Sequence, residues 1–201
     1  MKLTSEILET AIEELSKLPG TGKKSAQRIA LHLVKKNLSD VQRLSDAMIA
    51  LKTKIKHCSR CFTLTDTEIC PICKSEKRNN GQLCIVEEPQ DVLMIERTHT
   101  FKGRYHVLGG SISPMDNIGP DQLRIKELIQ RVNTKDEHIS EVILALNPDS
   151  EGEATSFYLN KLLSPFELNI TRIAYGVPMG THLEYIDEAT ISRALANRSH
   201  F

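Results

Sequence analysis

Apolar positions recur along this chain at two spacings, and the change between them divides it. In the first segment they fall at Leu3, Ile7, Leu8, Ala11, Ile12 and Leu15, which draws one stripe down a helix with Ser5 or Thr4 as its N-cap. A second helix is expected from Lys23 to about Lys36, with Ala26, Ile29, Ala30, Leu33 and Val34 on one face. A third spans Ser39–Lys54, capped by Ser39 or Asp40, and its stripe of Val41, Leu44, Ala47, Met48 and Leu51 is expected to cover the first two. Beyond residue 80 come short stretches of strand length, Leu83–Val86, Tyr105–Leu108, Val142–Leu146 and Leu168–Ala174, with Val142–Leu146 an unbroken apolar run. Helical stretches separate them. One begins near Pro89 with Val92, Met94 and Ile95 inward, and one runs from Gly119-Pro120-Asp121 through Val132. Another opens at Glu151, with Ala154, Phe157, Tyr158, Leu162 and Leu163 as its apolar residues. Strands alternating with helices predict an α/β fold: a small parallel sheet with helices on both faces, behind an all-α N-terminal domain. A turn-rich link at Tyr175–Gly180, a short strand at Leu183–Asp187 and a helix to about Asn197 complete the chain.

Composition narrows the functions open to such a fold. The 201 residues suffice for one good core plus small appendages. Lys+Arg and Asp+Glu are both 26, so any grip on nucleic acid must come from local basic patches rather than a global field. Aromatics are only 4% and Trp is absent, which argues against base-stacking platforms. No apolar run is of membrane-spanning length, and the N-terminal MKLTSEILETAIEEL carries acids where a signal peptide needs an apolar block. A cytoplasmic protein is expected, in which five cysteines mean metal or free thiols more often than disulfides.

Leu18-Pro19-Gly20-Thr21-Gly22 joins the first two helices. Pro19 stops one helix, and the two glycines permit positive φ. Helix, LPGTG turn and helix together resemble the helix-hairpin-helix DNA-binding motif. Backbone N–H groups exposed beside a helix N-terminus grip phosphate oxygens. Lys24 and Arg28, one turn apart, would add cations on the same face, with Lys23 a weaker contributor. An ordinary αα-hairpin with solvated lysines is the alternative. A P-loop is excluded: Lys17 stands where the motif needs its first glycine, and Lys24 where it needs Ser or Thr.

Cys58-x2-Cys61-x8-Cys70-x2-Cys73 is the strongest local signal. Each Cys-x2-Cys knuckle offers two sulfurs, and four thiolates close the tetrahedral shell of one Zn²⁺, leaving no open position for catalysis. Two disulfides or a redox pair would be the alternative. His57 is a spare ligand, and Cys84, in an apolar strand, is expected as a small buried hydrophobe. So few residues cannot build a core, and metal binding should supply the stability of this segment.

Glu87 ends one strand with Asp91 four residues on, and Asn147-Pro148-Asp149-Ser150-Glu151-Gly152-Glu153 follows a later strand. The pair resembles the strand-end acids of the Toprim domain of topoisomerases and primases, where such carboxylates hold Mg²⁺ for phosphoryl transfer. Asn147 stands where the first aspartate of the turn would be, removing one charge, so tight Mg²⁺ binding and catalysis from Glu87, Asp149 and Glu151 are not expected.

The order of these parts resembles the RecR family of bacterial recombination mediators over essentially the whole chain. LPGTGKKSAQRIALHL, CPIC, VEEPQDV, YHVLGGSISP, NPDSEGEAT, YGVPMG and LEYIDEATISRAL carry the likeness. It implies domains at 1–56 (helix-hairpin-helix), 57–80 (zinc finger), 81–175 (Toprim) and 176–201 (a Walker B-like tail that lacks a Walker A partner). It also implies a non-enzymatic, nucleoid-associated protein of DNA repair. Such proteins form a tetrameric ring that clamps single- or double-stranded DNA. With RecO and RecF they load RecA onto strands coated by single-strand-binding protein. Glu87, Asp91, Asp149 and Glu151 would then be a docking surface, chiefly for RecO. The rival reading is a Mg²⁺-dependent Toprim nuclease or topoisomerase.

Overall fold

The computed structural model describes residues 5–134 and 137–198; Leu3 and Thr4, named above for the first helix, lie outside them. The chain divides into two compact units, one ending at Ile55 and the other beginning at Lys56.

In the first unit, α1 (Glu6–Ser16) starts where Ser5 Oγ accepts from the Leu8 N–H at 3.3 Å. It packs against α2 (Lys23–Val34), whose Ala26 and Ala30 are buried. Of the two turn glycines only Gly20 uses glycine's freedom, at φ 74°. Gly22 is instead the extended N-cap of α2, at φ -76°. α3 (Leu38–Lys54) begins after Asn37, not at Ser39 or Asp40, and buries no residue. Leu44, Met48 and Leu51 remain exposed, so α3 does not cover the hairpin as expected. Periodicity establishes a helix and its stripe; it carries no information on what the stripe meets.

The second unit opens with a two-residue antiparallel ribbon, β1 (Lys56–His57) against β2 (Leu64–Thr65), and the short α4 (Pro71–Lys74). Four parallel strands follow: β3 (Gln82–Val86), β4 (Arg104–Val107), β5 (Glu141–Leu144) and β6 (Asn169–Arg172), in the order β4-β3-β5-β6. Helices α5 (Pro89–Arg97), α6 (Ile125–Asn133) and α7 (Ser150–Leu163) alternate with them, and α8 (Glu188–Ala196) closes the described chain. The expected α/β class is therefore present.

Strand alternation assigns the two faces. Leu83, Ile85, Val142 and Leu144 share one core with Leu128 of α6 and with Leu159 and Leu163 of α7. Cys84, Val86, Tyr105 and Val107 form the other with Val92 of α5, and Phe62 and Ile72 of the cysteine segment pack onto it. The cysteine segment is thus part of the second layer over the sheet. Cys84 is buried as expected.

Several local expectations are corrected. Met94, expected inward, is 61% exposed, because it lies across the α5 wheel from Val92. The stretch after Gly119 is a single 3-10 turn, Pro120–Gln122, broken at extended Leu123 before α6 begins. Helix α7 buries Gly152, Thr155, Ser156, Leu159 and Leu163, whereas Phe157 and Tyr158 face outward. Leu183–Tyr185 is a 3-10 turn rather than a strand.

Candidate functional site

The four cysteines converge. The Sγ atoms of Cys58, Cys61, Cys70 and Cys73 all lie within 4.8 Å of one another, and all four residues are buried. Backbone amides support the sulfurs: Cys70 N–H donates to Cys58 Sγ at 3.3 Å and Cys73 N–H to Cys70 Sγ at 3.4 Å. Packed this closely, the thiols cannot ionise independently. The hydrogen bond between Cys61 and Cys70, 3.6 Å apart, pushes the Cys61 thiol up and draws the Cys70 thiol down to about 2. A divalent ion bonded to all four resolves that conflict, and the donor set fits a structural zinc ion with no open position. His57 is not part of the cluster; its Nδ1 lies 2.8 Å from the Phe62 carbonyl oxygen.

The module is tied to the sheet through main chain as well as side chains. Val107 N–H donates to the Cys61 carbonyl at 2.9 Å, and the Phe62 ring meets His106 edge-on, with centroids 5.4 Å apart. His106 is fully buried; burial drives its imidazole down to about 3, and its Nε2 lies 2.8 Å from the Arg124 carbonyl. Since the ring is neutral there, Nε2 carries the proton and donates.

At the carboxyl ends of β3 and β5 the acids have separate employments. Glu87 is only 6% exposed. Its Oε1 accepts from the Asn147 backbone N–H at 2.8 Å and its Oε2 from Asn147 Nδ2 at 2.6 Å. Burial pushes its carboxyl above the usual range, Asn147's hydrogen bonds pull it back, and nearby Asp149 and Asp91 push it up again. Asp149 N-caps α7, accepting from Gly152 N–H at 2.8 Å. Asp91 accepts from Glu88 N–H at 2.8 Å as half of a capping box. Glu151 accepts from Ser150 Oγ at 2.8 Å. Among the described residues, the cysteine quartet is the only group of three or more such side chains close enough to share a metal ion. Asn147 thus does more than lack a charge: it fills both oxygens of the buried acid at these strand ends. The sequence marks it only as a departure from the Toprim pattern.

Gly152 makes this closure possible. A Cβ there would stand 2.1 Å from the Asn147 carbonyl oxygen and 3.0 Å from Glu87 Oε1. The first turn of α7 therefore lies directly on the β5 turn.

On α2, Lys23, Lys24 and Arg28 are exposed, and none has an ion-pair partner among the described residues.

The buried ions Arg104, Arg131 and Glu137 escape a reading of the sequence. Their one available signal is an arginine three residues after Leu128, at the margin of an apolar stripe.

A helix-hairpin-helix unit joined to a zinc-bearing parallel α/β unit with strand-end acids defines a multidomain Toprim protein. Comparison with known proteins gives the same order. Residues 81–174 match the Toprim domain and 8–52 match "RecR, helix-hairpin-helix". Residues 55–75 match the four-cysteine zinc finger domain of RecR, and 176–199 match "RecR, C-terminal". "Recombination protein RecR" of Nocardioides sp. is 52% identical, with 96% of each chain covered. The proteins of that name from Chloroherpeton thalassium and Chlorobium limicola are 50% and 49% identical, with 99% of each chain covered. The chain belongs to the RecR family. No helix among the described residues is long and apolar enough to cross a membrane.

Proposed function

We propose that this chain is a cytoplasmic, non-catalytic mediator of recombinational DNA repair that holds the phosphodiester backbone through Lys24, Arg28 and, more weakly, Lys23. The observation that carries this reading is the set of exposed cations on α2, which have no ion-pair partner among the described residues, on the helix that follows the glycine corner. Two such cations grip phosphate weakly. A tetrameric ring presenting four sets to one DNA would multiply the grip by avidity, without any strongly basic overall charge. In this reading the ring acts with RecO and RecF to load RecA onto single strands coated by single-strand-binding protein. The acid face is a docking surface, chiefly for RecO: Asp149 and Glu151 present charge to the partner, while Glu87 and Asp91 shape the turns beneath them. The bond pair from Asn147 to Glu87 supports a docking role over Mg²⁺ chemistry, because a carboxylate with both oxygens taken is poorly placed to ligate an ion.

Lys24→Ala and Arg28→Ala test the proposal by fluorescence anisotropy on DNAs of several sequences across a salt series. Binding should weaken nearly equally for every sequence. The slope of log affinity against log salt should fall by about one for each phosphate that the variant no longer holds. Unchanged affinity and slope in both variants would overturn the proposal.

A further inference from the structure

Beside the zinc module lies a buried ionic cluster whose own charges do not cancel. Arg131 of α6 donates to Glu137 Oε2 through Nε at 2.8 Å, and its Nη2 lies 2.7 Å from the same oxygen. Arg104, at the start of β4, reaches Glu137 Oε1 at 3.3 Å, and Arg60, between Cys58 and Cys61, reaches it at 3.4 Å. Arg104, Arg131 and Glu137 are 3%, 8% and 5% exposed. Two buried guanidiniums and the partly exposed Arg60 thus share one carboxylate, leaving one positive charge in excess among the buried groups. Among the described residues, Arg104 Nε finds no acceptor. Burying an uncompensated charge is costly, so the excess needs a negative partner.

That partner is adjacent. A zinc ion bound by four thiolates carries a net charge of two minus. The cluster touches the module that holds it at several points. Arg131 Nη1 donates to the Arg60 carbonyl, between the two cysteines of the first knuckle, at 3.5 Å and to the Tyr105 carbonyl of β4 at 2.6 Å. We infer that Arg131, Arg104 and Arg60, gathered by Glu137, are positioning residues for the zinc centre that retain the ion by balancing the charge of its four thiolates. Groups just outside a ligand shell commonly change metal affinity by about 10- to 100-fold. Here they come from the sheet and its helix as well as from the module, so zinc retention and docking of the module depend on the same atoms.

A purely mechanical clasp would use the same contacts, and charge tells the two apart. Zinc release from the full-length protein can be followed by transfer to an excess of the chromophoric chelator 4-(2-pyridylazo)resorcinol, with circular dichroism to confirm folding. Arg131→Met should release zinc about tenfold faster or more, and Arg131→Lys should stay closer to the parent. Glu137→Gln removes a negative charge and should release zinc no faster than the parent, although it breaks the same clasp. Parent-like release in Arg131→Met overturns the inference, as does equal acceleration by Glu137→Gln. If Arg131→Met fails to fold, Arg60→Met, at a partly exposed site, decides by the same comparison.

Discussion

Asn147→Asp is the sharpest perturbation of the strand-end site. It changes one atom of the side chain, replacing the Nδ2 that donates to Glu87 Oε2 at 2.6 Å with a second carboxylate oxygen. Losing a hydrogen bond to a charged acceptor costs about 1.5–3 kcal/mol. Coulomb's law at 2.6 Å adds about 6 kcal/mol of repulsion at an effective dielectric of about 20, but only about 1.6 kcal/mol in bulk water. Residue 147 is exposed on one side, so screening is strong, and the pair can retain one proton. The net loss should be about 3 kcal/mol near neutral pH. The pair cannot relax by moving toward α7, because the Gly152 backbone already lies against the Asn147 carbonyl. The sign with pH follows from the direction of the shift. A carboxyl whose folded pKa is raised stabilises the protein fully below its unfolded value, and that contribution fades as pH rises through the folded value. Urea denaturation monitored by circular dichroism should therefore show the variant closest to the parent at about pH 4, below the unfolded value, and clearly weaker at about pH 8. Asn147→Ala, which loses the amide without adding charge, should show a smaller loss and little extra pH dependence. An Asn147→Asp protein as stable as the parent at both pH values would refute the assignment of Asn147 as the partner of Glu87.

Two further outcomes follow from the same geometry. Gly152→Ala places a methyl 2.1 Å from a backbone oxygen and should destabilise the second unit by about 3 kcal/mol, read as a lowered denaturation midpoint; a silent substitution would mean the turn and α7 separate easily. Burial pushes the Glu96 carboxyl up, but Arg78 at 2.7 Å and the Tyr105 hydroxyl, donating at 2.7 Å, outweigh it and hold the carboxyl below its usual range. The stability that Glu96 contributes is present above the unfolded value and lost as pH falls through the folded one. Glu96→Gln should flatten the acid limb of the stability curve in pH-dependent melting, and an unchanged limb would count against the pairing.

Much of this protein is legible in its residues because the signals are local. Ser5 caps α1, a four-cysteine spacing brings four sulfurs together, and unbroken apolar runs become buried parallel strands; each depends on neighbours a few positions away. The fate of each stripe is not legible. The apolar rows of α2 and α3 look alike in sequence, yet α2 buries two alanines and α3 buries nothing. On α7, Thr155 and Ser156 are inside while Phe157 is outside, because the buried face is chosen by the sheet it packs against and not by hydrophobicity alone. The site divides in the same way. Residue types and spacing determined that zinc has four thiolates and that the Toprim pattern lacks an acid. Only the folded chain decided that Asn147 reaches back to Glu87 across 60 residues, and that Arg60 and Arg131, 71 apart, meet beside the zinc module. A parallel sheet joins strands distant in sequence, and charges and amides at its edges find partners that spacing along the chain does not reveal.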